Sequence, residues 1–240
     1  MIINKIRNQL LIVFVLCIFV RFSYGQKIEV NLNAYSGLFS FCGNGTTSTS
    51  WINLNPYRSP QKYTTNVYGN KSGFSYALEL QGQHITQRKN IYGFGLSFES
   101  LTSKVNIDTV TEDGFIYSQH PANGKTTLQN TFITLNPFFG QRYLYHKVIF
   151  DLLVGIDLGF CLKSREQGHA TTDNKSFNLQ VDNDNAKPLI DFRPRIQIKT
   201  QYNGFGIIIG YSLGLVNYQT QNNTKAYTSF LRLGLSYKLK

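Results

Sequence analysis

The 240-residue chain is poor in acid, with 13 Asp and Glu against 24 Lys and Arg and a formal net charge of +11. Charge of either sign is sparse, at 15% of residues. The cations are scattered along the chain, with only short pairs such as Arg88-Lys89. A basic stripe or cluster, the footprint of a nucleic-acid binder, is missing, which excludes nucleic acid as a partner. Cysteine is limited to three residues with no local pairing, which excludes a zinc module. Long hydrophobic runs are also scarce. Leu10 to Val20 is the one unbroken apolar run, and as a helix it rises only ~16 Å, about half of a ~30 Å hydrocarbon core. No Gly-rich phosphate loop occurs. Asp182-Asn-Asp184 with Asn185 lacks the glycine and distal glutamate of a calcium loop, and reads as solvated loop. The sequence thus offers no catalytic, cofactor-binding or metal constellation.

What is present begins with an export signal. Lys5 and Arg7 precede the apolar run, and Ser23 and Gly25 place small side chains before Gln26. This pattern predicts a signal peptide over 1–25, cleaved before Gln26, and a single mature domain over 26–240. Removal of Lys5, Arg7 and Arg21 lowers the net charge from +11 to +8. Two cysteines remain, Cys42 and Cys161, near predicted outer strand ends. An exported compartment permits a disulfide, but nothing in the sequence sets their separation, and two separate buried thiols are the preferred reading.

The mature chain alternates with period two. Phe74, Tyr76, Leu78 and Leu80 oppose Ser75, Ala77, Glu79 and Gln81. Tyr92, Phe94, Leu96 and Phe98 oppose Gly93, Gly95, Ser97 and Glu99. Leu152, Val154, Ile156, Leu158 and Phe160 oppose Asp151, Leu153, Gly155, Asp157 and Gly159. Ile190, Phe192, Ile196 and Ile198 oppose Asp191, Arg193, Arg195, Gln197 and Lys199. Two more such segments lie at 205–215 and 227–238, the latter with Arg232 on its polar face. Segments at 27–41 and 127–142 are noisier, and Pro137 requires a bulge or a strand end. Tight connections at 87–90, 143–147 and Asn203-Gly204 alternate with long ones at about 42–72, 103–126 and 164–187, and a shorter one near 219–224. Eight strands with short turns on one side and long loops on the other predict an all-β, antiparallel, up-and-down transmembrane β-barrel.

Alternation alone would equally suit a soluble barrel with its apolar face inward. The polar face, however, holds mid-strand charge: Glu79, Glu99, Asp151, Asp157, Asp191, Arg193, Arg195, Lys199 and Arg232. It also holds glycines, which suit a narrow lumen that interleaves small side chains with long ones. Strands of about ten residues match a tilted membrane crossing. The apolar face is therefore expected against outer-membrane lipid. The lumen charges are expected to pair into a network, because an unpaired charge there is costly, and an eight-stranded interior is expected to be filled rather than open.

Thr131-Phe-Ile-Thr-Leu-Asn-Pro137, Phe150-Asp-Leu-Leu-Val-Gly-Ile-Asp-Leu-Gly159, Gln26 after the cleavage site and the amphipathic segment Phe230 to Leu239 resemble the PorT-like outer-membrane β-barrels of Bacteroidetes-type bacteria. Such barrels often end in an aromatic residue, whereas this chain ends Tyr237-Lys-Leu-Lys240. The resemblance implies location in a Gram-negative outer membrane and no shared catalytic residue. It also makes an accessory role in a secretion or uptake machinery the alternative function. The leading expectation is a non-enzymatic barrel, structural or partner-binding. Its outer loops would contact a protein through Trp51, Tyr57, Tyr63 and Tyr68, since aromatics are enriched at binding hot spots. A small outer-membrane hydrolase is the remaining reading. The histidines fall at the lipid-facing parity of one strand (His84), in a periplasmic turn (His146) and in outer loops (His120, His169). A loop site of His169, Glu166 and Asp173 is its one conceivable centre.

Overall fold

The computed structural model describes residues 27–54, 63–113, 117–173, 175–182, 188–219 and 223–240. The predicted signal peptide lies outside them. The described residues form eleven strands: β1 (Lys27–Cys42), β2 (Thr49–Leu54), β3 (Tyr63–Thr64), β4 (Lys71–Ile85), β5 (Asn90–Asp113), β6 (Tyr117–Tyr145), β7 (Val148–Thr171), β8 (Ser176–Asp182), β9 (Ile190–Tyr202), β10 (Phe205–Leu213) and β11 (Tyr227–Lys238).

Eight of them close a ring. Each consecutive pair among β4, β5, β6, β7, β9, β10 and β11 is antiparallel, and β1 pairs with both β4 and β11. No barrel edge is left open, which a spanning sheet requires because lipid cannot satisfy backbone groups. The turns on one side are short. His146-Lys147 and Asn203-Gly204 each join paired strands with two residues, and both residues of the second have positive φ (48° and 87°), the geometry of a type I′ hairpin.

Burial follows the pleat. Phe74, Leu78, Leu80, Tyr92, Phe94, Leu96, Ile196, Ile198, Leu233 and Leu235 face outward and are exposed, while the alternate positions are buried. Water would penalise an apolar exterior of this extent, and lipid does not. The molecule is an eight-stranded up-and-down transmembrane β-barrel. Lumen glycines make room for large neighbours: a β-carbon at Gly234 would stand 2.5 Å from the Tyr35 ring, and one at Gly95 would stand 2.9 Å from the Glu79 carboxyl carbon.

Three expectations are corrected. The segments over 27–41 and 127–142 are as regular as the others; β6 alternates without a break from Thr126 to Arg142. Pro137 is mid-strand. It pairs with Phe94 of β5, while the ladder to β7 skips Asn136 and Pro137, so the missing N–H falls on one side only. The stretches 103–113, 117–126 and 164–171 are strands, not loops. β5 and β7 run 15 and 11 residues beyond the lipid-facing Phe98 and Phe160, about 50 and 36 Å at ~3.3 Å per residue, with β6 between them. Their outward face meets water there, so the outward apolar stripe ends although the hydrogen-bond ladder continues. We call this extension the crown. It is flanked by β2, parallel to β5, and by β8, antiparallel to β7. Cys42 and Cys161 are not joined by a disulfide, and both are half-buried rather than buried.

Candidate functional site

All nine predicted lumen charges are buried inside the barrel. Arg195 on β9 reaches Glu79 on β4 at 3.0 Å and Asp157 on β7 at 3.2 Å, and also donates to Asn136. Arg232 on β11 donates to Asp157 at 2.8 Å and to Ser212 at 2.9 Å. Arg193 donates to Glu99 and lies 3.7 Å from Asp191. The Tyr35 hydroxyl donates to Glu79 at 3.0 Å. Strands remote in sequence are thus tied across the lumen.

Sequence reasoning missed a second cluster nearer the short-turn end. Arg142 forks between Asp151 (2.7 Å) and Glu29 (2.8 Å), and Lys238 donates to Glu29 at 2.7 Å. Glu29 and Arg142 lie in the two segments read as noisy, where strict alternation from Glu29 to Tyr35 and from Thr126 to Arg142 was the available signal. With these, six acids (Glu29, Glu79, Glu99, Asp151, Asp157, Asp191) share the lumen with six bases (Arg142, Arg193, Arg195, Lys199, Arg232, Lys238). The interior is self-neutralising. Lys199 stands opposite Asp151 in the ladder, but Asp151 is engaged by Arg142, and the Lys199 ammonium has no hydrogen-bond partner among the described residues.

Above this network an apolar layer caps the outer mouth. Phe39, Phe41, Leu101, Leu128, Phe132 and Phe230 project inward from the walls, and Val67, Tyr218 and Ala226 cover them from the connecting segments. Phe41 meets the rings of Tyr68 and Tyr218 edge-on at 5.2 and 5.0 Å. Burial of the Tyr68 phenol raises its pKa to about 12. The covering segments are themselves tied: Gly45 donates to the Lys225 carbonyl, and Asn217 accepts from the amides of Gln219 and Ala226.

The crown has its own small core of Ile52, Leu54, Ile107, Val110 and Ala170, with Ala122 and Phe177 against it. β3 closes over this face: the Thr64 amide donates to Glu166 of β7 at 2.9 Å and its hydroxyl meets Thr126 of β6 at 3.1 Å. Of the four aromatics expected to form a contact surface, Trp51 and Tyr63 are 44% and 48% exposed. They share one face of the β2–β3 pair, since Tyr63 stands opposite Asn53. Tyr68 turns instead into the mouth layer, and Tyr57 lies outside the described residues.

The candidate hydrolytic site is not assembled. Glu166 points into the crown and is buried, whereas His169 has the opposite parity on β7, is exposed, and bonds Asn178 at 2.7 Å. Both His120 and His169 lie on strands rather than in loops. His120 shares a cleft with Glu112, Asp173 and Lys175. His84 keeps the outward parity but is buried. No group of three metal-ligating side chains occurs among the described residues.

No protein-family model matches the chain, and no curated protein matches its sequence. Among solved structures it is similar to neisserial surface protein A, at 7% identity over 88% of this chain and 97% of that one, with a TM-score of 0.38. It is also similar to Ail, the attachment invasion locus protein of Yersinia pestis, in complex with the heparin analogue sucrose octasulfate. That match has 12% identity over 89% of this chain and 99% of that one, with a TM-score of 0.35. The architecture rests on the strand pairing itself.

Proposed function

We propose that this chain is an exported, non-enzymatic protein of a Gram-negative outer membrane. In this reading residues 1–25 direct export, and residues 26–240 form a closed barrel of the PorT-like kind that holds a rigid crown outside the cell for contact with a protein partner. The observation that carries it is the combination of a filled lumen with an ordered crown. The barrel interior is spent on ion pairs that join its walls, leaving the crown as the ordered surface outside the membrane. On that surface Trp51 and Tyr63 expose large amphipathic rings side by side on one short hairpin, the side-chain type that dominates binding energy at protein interfaces.

The test is a photoreactive phenylalanine analogue placed at Trp51 or Tyr63 in cells making the full chain. A discrete protein adduct from both crown positions, absent when the analogue stands at lipid-facing Leu235, is the expected result. Adduct patterns that do not differ between crown and lipid positions would sink the reading. The accessory-subunit alternative is separated by its stoichiometry: a stable assembly would co-purify in detergent with the wild-type chain and dissociate in the W51A/Y63A variant.

A further inference from the structure

The excess positive charge is carried outside the lumen, because the interior acids and bases balance. Part of the excess is concentrated where the barrel leaves the membrane. The last lipid-facing aromatics on β4, β5 and β7 are Phe74, Phe98 and Phe160. Beyond them, on the same outward face, stand Lys71, Lys104, Lys125, Lys163 and Arg165. Lys71 and Lys104 are direct cross-strand partners, so their side chains leave the same face about 5 Å apart. Lys125 is opposite Asn106 and His169, Arg165 opposite Gln129, and Lys163 opposite Thr131. The outward positions between these cations on β5, β6 and β7 are Thr, Asn and Gln. Glu166 points inward, and Asp182 of β8 is the ladder neighbour of Arg165 at the far edge. Lys71, Lys104 and Lys125 make no ion pair among the described residues.

Like charges placed side by side destabilise a sheet unless an anion lies between them. Lys71 stands three residues from Phe74, about 10 Å along a strand, and Lys163 directly adjoins the exposed Leu162 at the edge of the apolar band. Lysine stems reach several ångströms more and lay their ammonium groups at the polar interface. An outward-facing cation at that depth meets lipid headgroups before it meets anything else.

We propose that this arc binds the phosphate groups of phosphorylated glycolipid in the outer leaflet, anchoring the crown to the membrane surface; the proposal rests on the reading of the chain as an outer-membrane barrel. The experiment titrates the full-length mature chain, folded in neutral detergent, with diphosphoryl lipid A and follows lipid retention by native mass spectrometry. Wild-type protein is expected to retain the lipid in a salt-sensitive manner. The variant Lys71→Gln/Lys104→Gln/Lys125→Gln should weaken retention roughly tenfold or more, since each basic residue near an anionic surface has a sizeable share. Arg88→Gln/Lys89→Gln, in the turn at the opposite end, should leave it unchanged. Equal retention by the triple variant overturns the proposal, as does equal retention of dephosphorylated lipid A. Displacement of the lipid by inorganic pyrophosphate at modest concentration also overturns it, because the ligand would then be a free anion. Every variant is compared only when it shows the heat-dependent gel shift of a folded barrel. A wild-type chain lacking that shift overturns the barrel reading itself, before any lipid is added.

Discussion

Inside the membrane the three strands β5, β6 and β7 bury carboxylates, guanidinium partners and glycine; beyond it the same strands bury Ile107, Val110 and Ala170 under a flap made by β2 and β3. The lumen is walled by lipid-facing side chains on every side, so its charges must find each other, and removal of one partner leaves the rest buried without a counter-charge. The crown is surrounded by water, so its stability comes from ordinary apolar burial and from polar ties such as Glu166 on the Thr64 amide and the Thr64 hydroxyl on Thr126. One ladder thus crosses two solvents. The lumen is the part in which a single substitution is most damaging, and the crown is the part in which substitutions remain local.

The largest effect is expected at Arg195→Met, which deprives Glu79 and Asp157 of their shared cation. Urea titration in lipid bilayers should show a loss of about 3–5 kcal/mol; a loss near zero would mean that the lumen network does not hold the barrel. A smaller and local effect is expected at Glu166→Ala. The Thr64 amide then loses its acceptor, at about 1–3 kcal/mol, read as faster amide exchange over Thr64 to Tyr68 with barrel strands unchanged. Exchange that rises equally in β9 and β10 would break the distinction between the two regions. The smallest is a pH effect on the mouth layer. The folded pKa of Tyr68 is raised to about 12 by burial, so its contribution is complete below the unfolded value near 10. It is lost as pH rises from about 10 through 12, where the unfolded chain ionises first. Protection over 67–68 should fall in that window, and a Tyr68→Phe variant should lack this component.

How much of this was legible in the sequence follows from which solvent each face meets. Where lipid lies outside, the alternation is between Leu, Phe or Ile and charge or glycine, as in Phe192 to Lys199, and strand, face and register can be read directly. The nine lumen charges were visible for that reason. Past Phe98 and Ile133 the apolar parity reverses: Leu101, Val105 and Ile107 on β5 and Phe132 and Leu128 on β6 turn inward, while the outward face carries Thr102, Lys104, Asn106, Gln129 and Thr127. In sequence the crown strands therefore resemble loops. Around Arg142 the outward neighbours Gln141 and Tyr143 mix polar with apolar, whereas Glu29 stands in a regular alternation with Ile28, Val30 and Leu32 and is legible from it. The mouth layer was hidden for the opposite reason: Phe39, Phe41, Phe132 and Phe230 are aromatics on the lumen face, where an alternation rule expects polarity. Nothing local in the polar loop distinguishes the Tyr68 ring, which folds inward, from the exposed Trp51 and Tyr63. Pairing of Glu79 with Arg195, 116 positions apart, could be anticipated as a need of the interior but not as a specific contact.

The central claim is that ion pairs and an apolar mouth layer fill the lumen, and single-channel recording of the purified protein in a planar bilayer tests it most directly. The account predicts a membrane that holds the protein yet shows no conductance steps of porin size. Stable porin-sized steps from the wild-type chain would contradict it.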